Sequence, residues 1–438
     1  MMTSFYLKDN DYTGIECSDS VRNAVAQIAG ITLRELSEKN PDLLIFPKSL
    51  GDNDDGIDDQ ILITLNGGKI QTGNVLGFFG INDVRFFIRS RFDESNKQFF
   101  LPYMLQKVFG INVLNLQTGI DQNDIWDFYL LMFPYCLKNA LRQGLFKAYR
   151  HYFRNDSHLR GTIDISRHLK ENSPFRGSFA YQIRERTADN ALIQLVRHTI
   201  EFIRSNPATA FILSDKDSLL AADEIVSATQ SYVRNDRSKI IAQNLRPVRH
   251  PYFTKYTTLQ KLCLKILRHE TLSFGSSDEK TYGIIFDAAW LWEEYLATLL
   301  KENGFTHPRN KLREGGIPVY TDGYKVFPDF LSLDYKTIID AKYKKLDNGV
   351  SREDRYQMIS YLHITKADEG FFAFPAQEDN SFSRMLQGYG GTVGLKPFII
   401  PKEETLTAFA AEMKNSEDRF KESLNGKRAN DTSYIDAS

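Results

Sequence analysis

Residues 326–345 read VFPDFLSLDYKTIIDAKYKK, and this stretch decides how the surrounding chain folds. Residues 326–333 are dense in aromatic and aliphatic side chains, Asp334-Tyr335-Lys336 is a turn signal, and 337–343 reads as the return strand. Side chains two apart on a strand share a face, so Asp340 and Lys342 stand side by side while Ile339 and Ala341 turn the other way. Pairing across the turn brings Asp329 close to Asp340. The pattern predicts two carboxylates and one ammonium converging where an ordinary strand buries Val or Ile. Paired carboxylates repel and are costly to desolvate unless a cation sits between them. Oxygen ligands of this kind suit Mg²⁺, which usually takes one or two carboxylates plus water and substrate phosphate. A lysine at that point can orient or deprotonate an attacking water and neutralise phosphate charge.

The neighbouring stretches fit the same picture. Residues 287–303, DAAWLWEEYLATLLKEN, have helical spacing and carry Glu293 and Glu294 among apolar residues. Residues 351–366, SREDRYQMISYLHITK, open with a capping-box-like Ser351 and Asp354 and place Gln357 and Tyr361 four apart on one helix face. FFAF at 371–374 and KPFII at 396–400 supply further strands. The order helix, strand, strand, helix, strand predicts a small mixed sheet flanked by helices. Taken together, Pro328-Asp329, Asp340-Ala341-Lys342 and Gln357-x-x-x-Tyr361 resemble the PD-(D/E)xK nuclease superfamily. The resemblance implies a restriction-endonuclease-like α/β domain. Asp329 and Asp340 would be metal ligands, a glutamate of the preceding helix a further ligand, and Lys342 the residue that positions water. Apolar spacing does not separate Glu293 from Glu294; the family's aromatic-Glu-Glu-Tyr-like run favours Glu293. Gln357, Tyr361, Lys344 and Arg355 are expected to support the site or touch DNA.

The chain has 438 residues, 42% of them hydrophobic, enough for two or three domains with cores of their own. Lys8, Asp9 and Asp11 interrupt any apolar run near the start, so no signal peptide is expected. No stretch approaches the roughly 20 apolar residues that cross a bilayer, so no membrane is expected as a partner. The three cysteines, Cys17, Cys136 and Cys263, are far apart and odd in number, which argues against a disulfide framework or zinc site and fits a reducing cytoplasm. The eight histidines show no metal-ligand spacing. A net charge of −1 is unusual for a dedicated DNA binder, so affinity for double-stranded DNA must come from local patches or from a partner. No G-x-x-x-x-G-K-[ST] phosphate loop is present, so this chain is not expected to hydrolyse GTP or ATP.

Residues 1–120 read as a β-rich module with a helical insertion at 20–39 and strands at 61–65, 69–72, 75–79 and 84–91. DNDDGIDD at 52–59 reads as a solvated acidic loop. Residues 121–275 read as mainly helical, with an apolar-periodic run at 123–146 that Pro134 kinks or breaks, and a short amphipathic helix at 259–269. Residues 142–186 hold ten Lys or Arg against four Asp or Glu. Such a patch suits DNA phosphates or an acidic partner surface, and equally a hydrated helix face. Residues 275–278 form a hinge, 403–414 a closing helix and 423–438 a disordered tail in this reading.

Three phrases in the middle sharpen the resemblance: RGTIDISRH at 160–168, RERTADN at 184–190 and QLVRHTI at 194–200. With Arg91-Phe92, Met104-Leu105 and Gly144-Leu145 they are similar to the McrC family, the nuclease subunit of McrBC-type modification-dependent restriction systems, over roughly 85–375. The resemblance implies a partner, an AAA+ GTPase of McrB type that forms a hexameric ring, binds the GTP and senses modified cytosine. It also implies that this chain stimulates that GTPase. Arg160, Asp164, Arg184, Asp189 and Asn190 are assigned to a partner-facing or interdomain network, through helix capping and arginine pairing rather than catalysis.

The expected protein is therefore multidomain α+β. It has an N-terminal β-rich partner-binding domain at 1–120, a mainly helical middle domain at 121–275, a nuclease domain at 276–422 and a tail at 423–438. Its expected role is the Mg²⁺-dependent endonuclease subunit of a GTP-driven, modified-cytosine-dependent (type IV) restriction complex, cytoplasmic and active in phage defence. The alternatives are a non-cleaving regulatory subunit of a AAA+ GTPase ring and a stand-alone DNA repair nuclease, the latter disfavoured by near-neutral charge.

Overall fold

The structure, a computed structural model, describes residues 3–40, 43–47, 57–81, 84–94, 98–110, 125–207, 209–272, 281–308, 315–346, 349–388 and 390–425. Most of the expected acidic loop (52–56), the hinge at 275–278 and the tail from 426 onward lie outside the described residues. The chain divides into two compact units, 1–125 with 277–438, and 126–276.

The first unit begins with β1 (Thr3–Lys8), β2 (Ile15–Glu16), α1 (Asp19–Ala26), α2 (Leu33–Lys39) and β3 (Leu43–Phe46). The single helix expected at 20–39 is two, parted at Gly30, whose φ of 74° a helix cannot hold. Next come β4 (Ile63–Asn66), β5 (Lys69–Thr72), β6 (Val75–Ile81), β7 (Val84–Arg89) and α3 (Phe100–Phe109). All of β6 is buried, and its VLGFFGI run suits a central strand covered on both faces.

The second unit holds α4 (Ile125–Leu141), β8 (Ala148–Asp156), β9 (Thr162–Ile163), α5 (Ile165–Glu171) and β10 (Phe179–Thr187). It continues with α6 (Ala191–Ser205), α7 (Lys216–Ala228), α8 (Arg237–Gln243) and α9 (Lys255–Leu272). Helix α4 runs on through Pro134, where the sequence suggests a kink or a break. The middle region is not simply helical: β8, β10 and β9 form an antiparallel sheet, with Ala148 opposite Thr187 and Asp156 opposite Phe179. In β8 no residue is fully buried, so the strand lacks the apolar-in, polar-out alternation that would betray it. Arg150, Arg154, Arg184 and Arg186 of the basic stretch fall on this sheet, with Arg184 over Tyr149 at 4.3 Å and Arg150 over Tyr152 at 5.4 Å, and Arg167 of α5 lies over Phe153 at 5.6 Å.

The chain then returns to the first unit with β11 (Thr281–Asp287), α10 (Ala288–Leu300), β12 (Phe305–Thr306), β13 (Ile317–Pro318), β14 (Lys325–Val326), β15 (Phe330–Ser332) and β16 (Thr337–Ala341). It closes with α11 (Arg352–Thr365), β17 (Glu369–Ala376), β18 (Phe382–Met385), β19 (Thr392–Ile399) and α12 (Leu406–Asn425). Strand β11 inserts into the N-terminal sheet, antiparallel to β6 and parallel to β3, giving the order β1-β7-β6-β11-β3. The regions before 126 and after 276 thus share a sheet, whereas the sequence reading draws them as separate domains. The second large sheet runs β12-β15-β16-β17-β19-β18 and is mixed: β16, β17 and β19 are parallel, and its other pairings are antiparallel. Helix α11 covers one face of this sheet, with Met358, Tyr361 and Leu362 packed on Ile338, Phe372 and Phe374.

Candidate active site

The predicted hairpin is present, shorter than its sequence pattern. Phe330 pairs with Ile339 and Leu331 with Ile338. Ser332 builds the turn, donating to Asp334 Oδ1 at 2.6 Å and accepting from the Lys336 and Thr337 N–H groups at 3.1 and 2.9 Å. One register step beyond Phe330–Ile339, Asp329 stands opposite Asp340. The strand β15 starts after this point because Pro328 has no N–H to give, and the Asp329 carboxylate takes the Ala341 N–H at 2.7 Å. The backbone N–H of Lys342 donates to Ala373 O on β17 at 2.8 Å, which continues the parallel pairing just past β16.

Helix α10 approaches from the other sheet. Its cap is Asp287, the last residue of β11, which accepts from the Trp290 N–H at 2.8 Å and from Gln60 Nε2 at 2.8 Å. Trp292, Tyr295, Leu296 and Leu299 are buried at helical spacing and seat the helix. Trp292 Nε1 donates to Ala373 O at 3.3 Å, and Tyr295 donates to Glu417 at 2.9 Å. Glu293 and Glu294 keep 32% and 27% of their side-chain surface. His307 bridges this helix to the hairpin. Its Nδ1 lies 2.7 Å from Asp329 O, a group that can only accept, so Nδ1 carries the hydrogen. Its Nε2 faces Glu293 Oε1 at 3.7 Å and Glu294 Oε1 at 4.0 Å, and its ring stacks on Phe330.

The charges are strongly coupled. Burial pushes the Asp340 carboxyl up to about 7, and the nearby Asp329 charge adds to this while Lys342 opposes it. Burial also raises Asp329, against the pull of Lys342 and the Ala341 N–H. Glu293 is raised well above the carboxylate range by desolvation, then by the charges of Asp329, Glu294, Asp340 and Asp287. Its remaining exposure leaves the cluster open to solvent on that side. Lys342 Nζ lies 2.6 Å from Asp340 Oδ2 and 3.4 Å from Asp354 Oδ1. Burial works against its ammonium, but Asp340, Asp329 and Asp354 outweigh that, so its pKa is raised. The short Asp340–Lys342 contact favours the charged form of both groups, lowering the pKa of the carboxyl and raising that of the ammonium.

Ser351 caps α11 as the sequence predicts, accepting from the Asp354 N–H at 3.1 Å and donating to Asp354 Oδ2 at 2.6 Å. Asp354 also pairs with Lys344. Desolvation opposes its charge, but the hydrogen bonds from Lys344 and Ser351 and the charge of Lys342 hold its pKa low. Gln357 donates to the Tyr361 hydroxyl at 3.0 Å, and Tyr361 donates to Phe327 O at 3.4 Å. Burial and the charges of Asp329 and Asp340 push the Tyr361 hydroxyl up to about 12. Arg355 is exposed and donates to Val350 O at 3.2 Å.

Asp329, Asp340 and Lys342 thus meet at one place, and Glu293 comes near enough to feel the charges of both aspartates, with Tyr361 and Gln357 on α11 and Lys344 tied in through Asp354. Nothing in the sequence marks Asp354 or His307 as a site residue. The capping box shows Asp354 but not its second task, and a lone histidine after β12 carries no spacing signal. The other named residues belong to the second unit. Asp164 caps α5, and Asn190 caps α6 while donating to Phe146 O at 2.9 Å. Asp189 accepts from Gln194 at 2.5 Å and from the Ser231 N–H at 2.9 Å, Arg184 lies on Tyr149, and Arg160 is exposed.

Among the described residues, no three His, Cys, Asp or Glu side chains lie close enough to enclose a metal by themselves. The site nevertheless fits a hard cation that keeps much of its water: the buried Asp340 carboxylate and the half-buried Asp329 carboxylate face each other beside the Lys342 ammonium.

The profile described as "McrBC 5-methylcytosine restriction system component" matches residues 70–375. No curated protein matches. A chain in the refined half-complex from a tetradecameric assembly of Thermococcus gammatolerans McrB AAA+ hexamers with bound McrC aligns over 97% of this chain and 100% of its own length, with 15% identity and a TM-score of 0.54. A chain of the Thermococcus gammatolerans McrBC complex aligns over 69% and 88%, with 15% identity and a TM-score of 0.34. The first likeness is one of fold. The profile spans well over half of the residues, and the chain belongs to the family of McrBC 5-methylcytosine restriction system components.

Proposed function

We propose that this chain is the DNA-cleaving subunit of a modification-dependent restriction complex and hydrolyses phosphodiesters with Mg²⁺ in a PD-(D/E)xK-type site. The observation that carries the reading is the convergence of the half-buried Asp329 and Lys342 on the buried Asp340, with Glu293 approaching from α10. Asp329 and Asp340 would hold the ion, with Glu293 as the helix-borne ligand. Glu293 fits this role better than Glu294 because it feels the charges of both aspartates. When bound, Mg²⁺ would polarise the phosphoryl oxygen and lower the pKa of bound water.

The chain's own residues prepare the rest. The Ala341 N–H fixes the Asp329 carboxylate in place. Asp354 and Asp340 hold Lys342 as an ammonium, which suits it to orient water and neutralise phosphate charge rather than to accept a proton. Gln357 and Tyr361 brace the hairpin through Phe327 O. Lys344 and Arg355, near the start of α11, would meet backbone phosphates in this reading.

The likeness to a chain assembled with McrB AAA+ hexamers supports a partner of the same kind for this protein. In this reading GTP binds to the partner and not to this chain, and the partner's GTPase is stimulated by it. The test is plasmid cleavage with Mg²⁺ on methylated and unmethylated DNA, first with this chain alone and then with a McrB-type GTPase and GTP. Cutting that needs the partner, GTP and methylation is the expected result. Cutting by the chain alone would place it with stand-alone nucleases. Faster GTP hydrolysis without any cutting would leave a regulatory subunit.

A further inference from the structure

Lys342 lies just beyond the end of β16, yet its backbone is held on both sides. Its N–H donates to Ala373 O at 2.8 Å. On the other side, Arg91 Nη2 donates to Tyr343 O at 2.5 Å. Arg91 follows β7 in the N-terminal sheet, so this bond joins the first part of the unit to the residue next to the site's lysine. The arginine is itself fixed. Its N–H reaches Asp9 Oδ1 at 2.5 Å, and its Nη1 reaches Asp9 Oδ2 at 2.5 Å and Asn74 Oδ1 at 3.3 Å. Its guanidinium stacks over the Tyr343 and Phe92 rings, each at 5.0 Å. The Tyr343 hydroxyl meets Ser90 Oγ at 2.7 Å, and Phe92 packs edge-on against the Tyr343 ring at 5.0 Å. Three consecutive residues, Ser90, Arg91 and Phe92, therefore grip one tyrosine.

The pair is deeply placed, with 12% of the Arg91 side chain and none of the Asp9 side chain exposed. A buried ion pair is weak evidence for stability, since apolar residues of the same volume often serve as well. What it gives here is geometry: a planar fork with donors in fixed directions. A lysine in its place could meet Asp9 or the carbonyl but could not span both with the same rigidity.

We propose that Arg91, locked by Asp9, is a positioning residue that sets the backbone of Lys342 through the Tyr343 carbonyl. The N-terminal sheet then fixes the angle from which the ammonium enters the carboxylate cluster. The catalytic consequence rests on the nuclease reading above; the positioning itself does not.

Two variants of the full chain test this, Arg91→Lys and Asp9→Asn, with folding checked by gel filtration and thermal melting. The first readout is acylation of surface amines followed by mass spectrometry. In the wild type, Lys342 with 19% of its side chain exposed is expected to label more slowly than Lys344 with 41%. Both variants are expected to raise labelling of Lys342 severalfold and to leave Lys336 unchanged. If Lys342 labels at the wild-type rate in both, the positioning claim is overturned, whatever happens to cleavage. Should Arg91→Lys fail to fold, Asp9→Asn decides the matter, because it keeps the arginine. The second readout is plasmid cleavage with the partner present. Loss of alignment near the chemistry should lower kcat by up to about 100-fold with KM for DNA unchanged. A wild-type kcat in a variant whose Lys342 labels faster would overturn the catalytic consequence and leave the tether standing. If the wild type does not cut at all, the nuclease reading fails, and the labelling result still stands or falls by itself.

Discussion

Asp340 is a carboxylate on a strand where its neighbours Ile338 and Ile339 are fully buried. Its own burial and the facing Asp329 make ionisation costly. Replacing it with Asn keeps the shape and removes one of two repelling charges. Asp340→Asn should therefore fold with a melting temperature at or above that of the wild type. Plasmid cleavage should fall at least on the order of 100-fold, as expected when a group that stabilises developing charge is lost. A variant that cuts at the normal rate would remove Asp340 from the site. Asp9 gives a separate test of charge at single-residue scale. Burial pushes its carboxyl up to about 6, and the Arg91 charge offsets this only in part. A carboxyl raised on folding lends stability that is complete below its unfolded value of 3.8 and is lost as pH rises through 6. Relative to the wild type, Asp9→Asn should gain about 2 kcal/mol between pH 4 and pH 7. Melting curves of both proteins at the two pH values measure this, and a constant gap would show that the group is not raised. The aspartates and the lysine were legible because their spacing in 326–345 is local. His307 and Asp354 were not, because nothing in sequence joins a residue after β12, or a helix cap, to a carboxylate on another element.

At the scale of elements, the hairpin was readable because turn residues and strand period agree over a short stretch. Its pairing with β17 was not, since parallel neighbours are separated by a whole helix, α11. The β8 and β10 strands escaped for the opposite reason: β8 has no fully buried residue, and β10 buries only Ala180 and Tyr181 at its start before a polar, Arg-rich run. Two elements make firm predictions. Ser351 starts α11 and also donates to Asp354, which holds Lys342 and Lys344. Ser351→Ala should cost about 1 kcal/mol in urea denaturation, the usual price of a lost N-cap. It should also lower cleavage more than that small loss of stability explains. A variant with the stability loss but full activity would confine Ser351 to capping. Gly77 lies on β6 opposite Ile285 of β11, with φ of 126°, and a Cβ there would meet Ile284 O at 2.2 Å. Gly77→Ala should therefore destabilise the protein by about 2–4 kcal/mol through strain and overpacking together. Because β11 leads directly into α10, cleavage should fall with it; wild-type stability would mean that the two strands do not approach this closely.

For the whole molecule, the pattern of helices and strands was readable region by region, but the way the regions join was not. The sequence places a boundary near 276 because residues 275–278 read as a hinge. The structure gives the first strand after that boundary, β11, to the N-terminal sheet, with partners on both sides. Ile284, Ile285 and Phe286 are completely buried there, and Phe286 stacks on Phe46 at 5.2 Å. Further ties reach across the same chain distance. Gln60 braces Asp287, Arg91 holds Tyr343, Gln377 donates to Phe92 O at 2.5 Å, and Lys402 pairs with Glu94 at 2.6 Å. Fully burying one large apolar side chain contributes about 1.5–3 kcal/mol, so baring three of them together with two strand edges removes most of a typical margin of stability. A fragment of residues 277–438 alone should then lack a cooperative thermal transition and bind a hydrophobic dye. Supplying residues 1–125 as a separate chain during expression should give a copurifying pair that melts cooperatively, since the missing strands β3 and β6 return. If 277–438 by itself melts in one sharp transition and cuts DNA with Mg²⁺, the nuclease region is an independent domain. The N-terminal sheet would then be an accessory to the site and not part of its foundation.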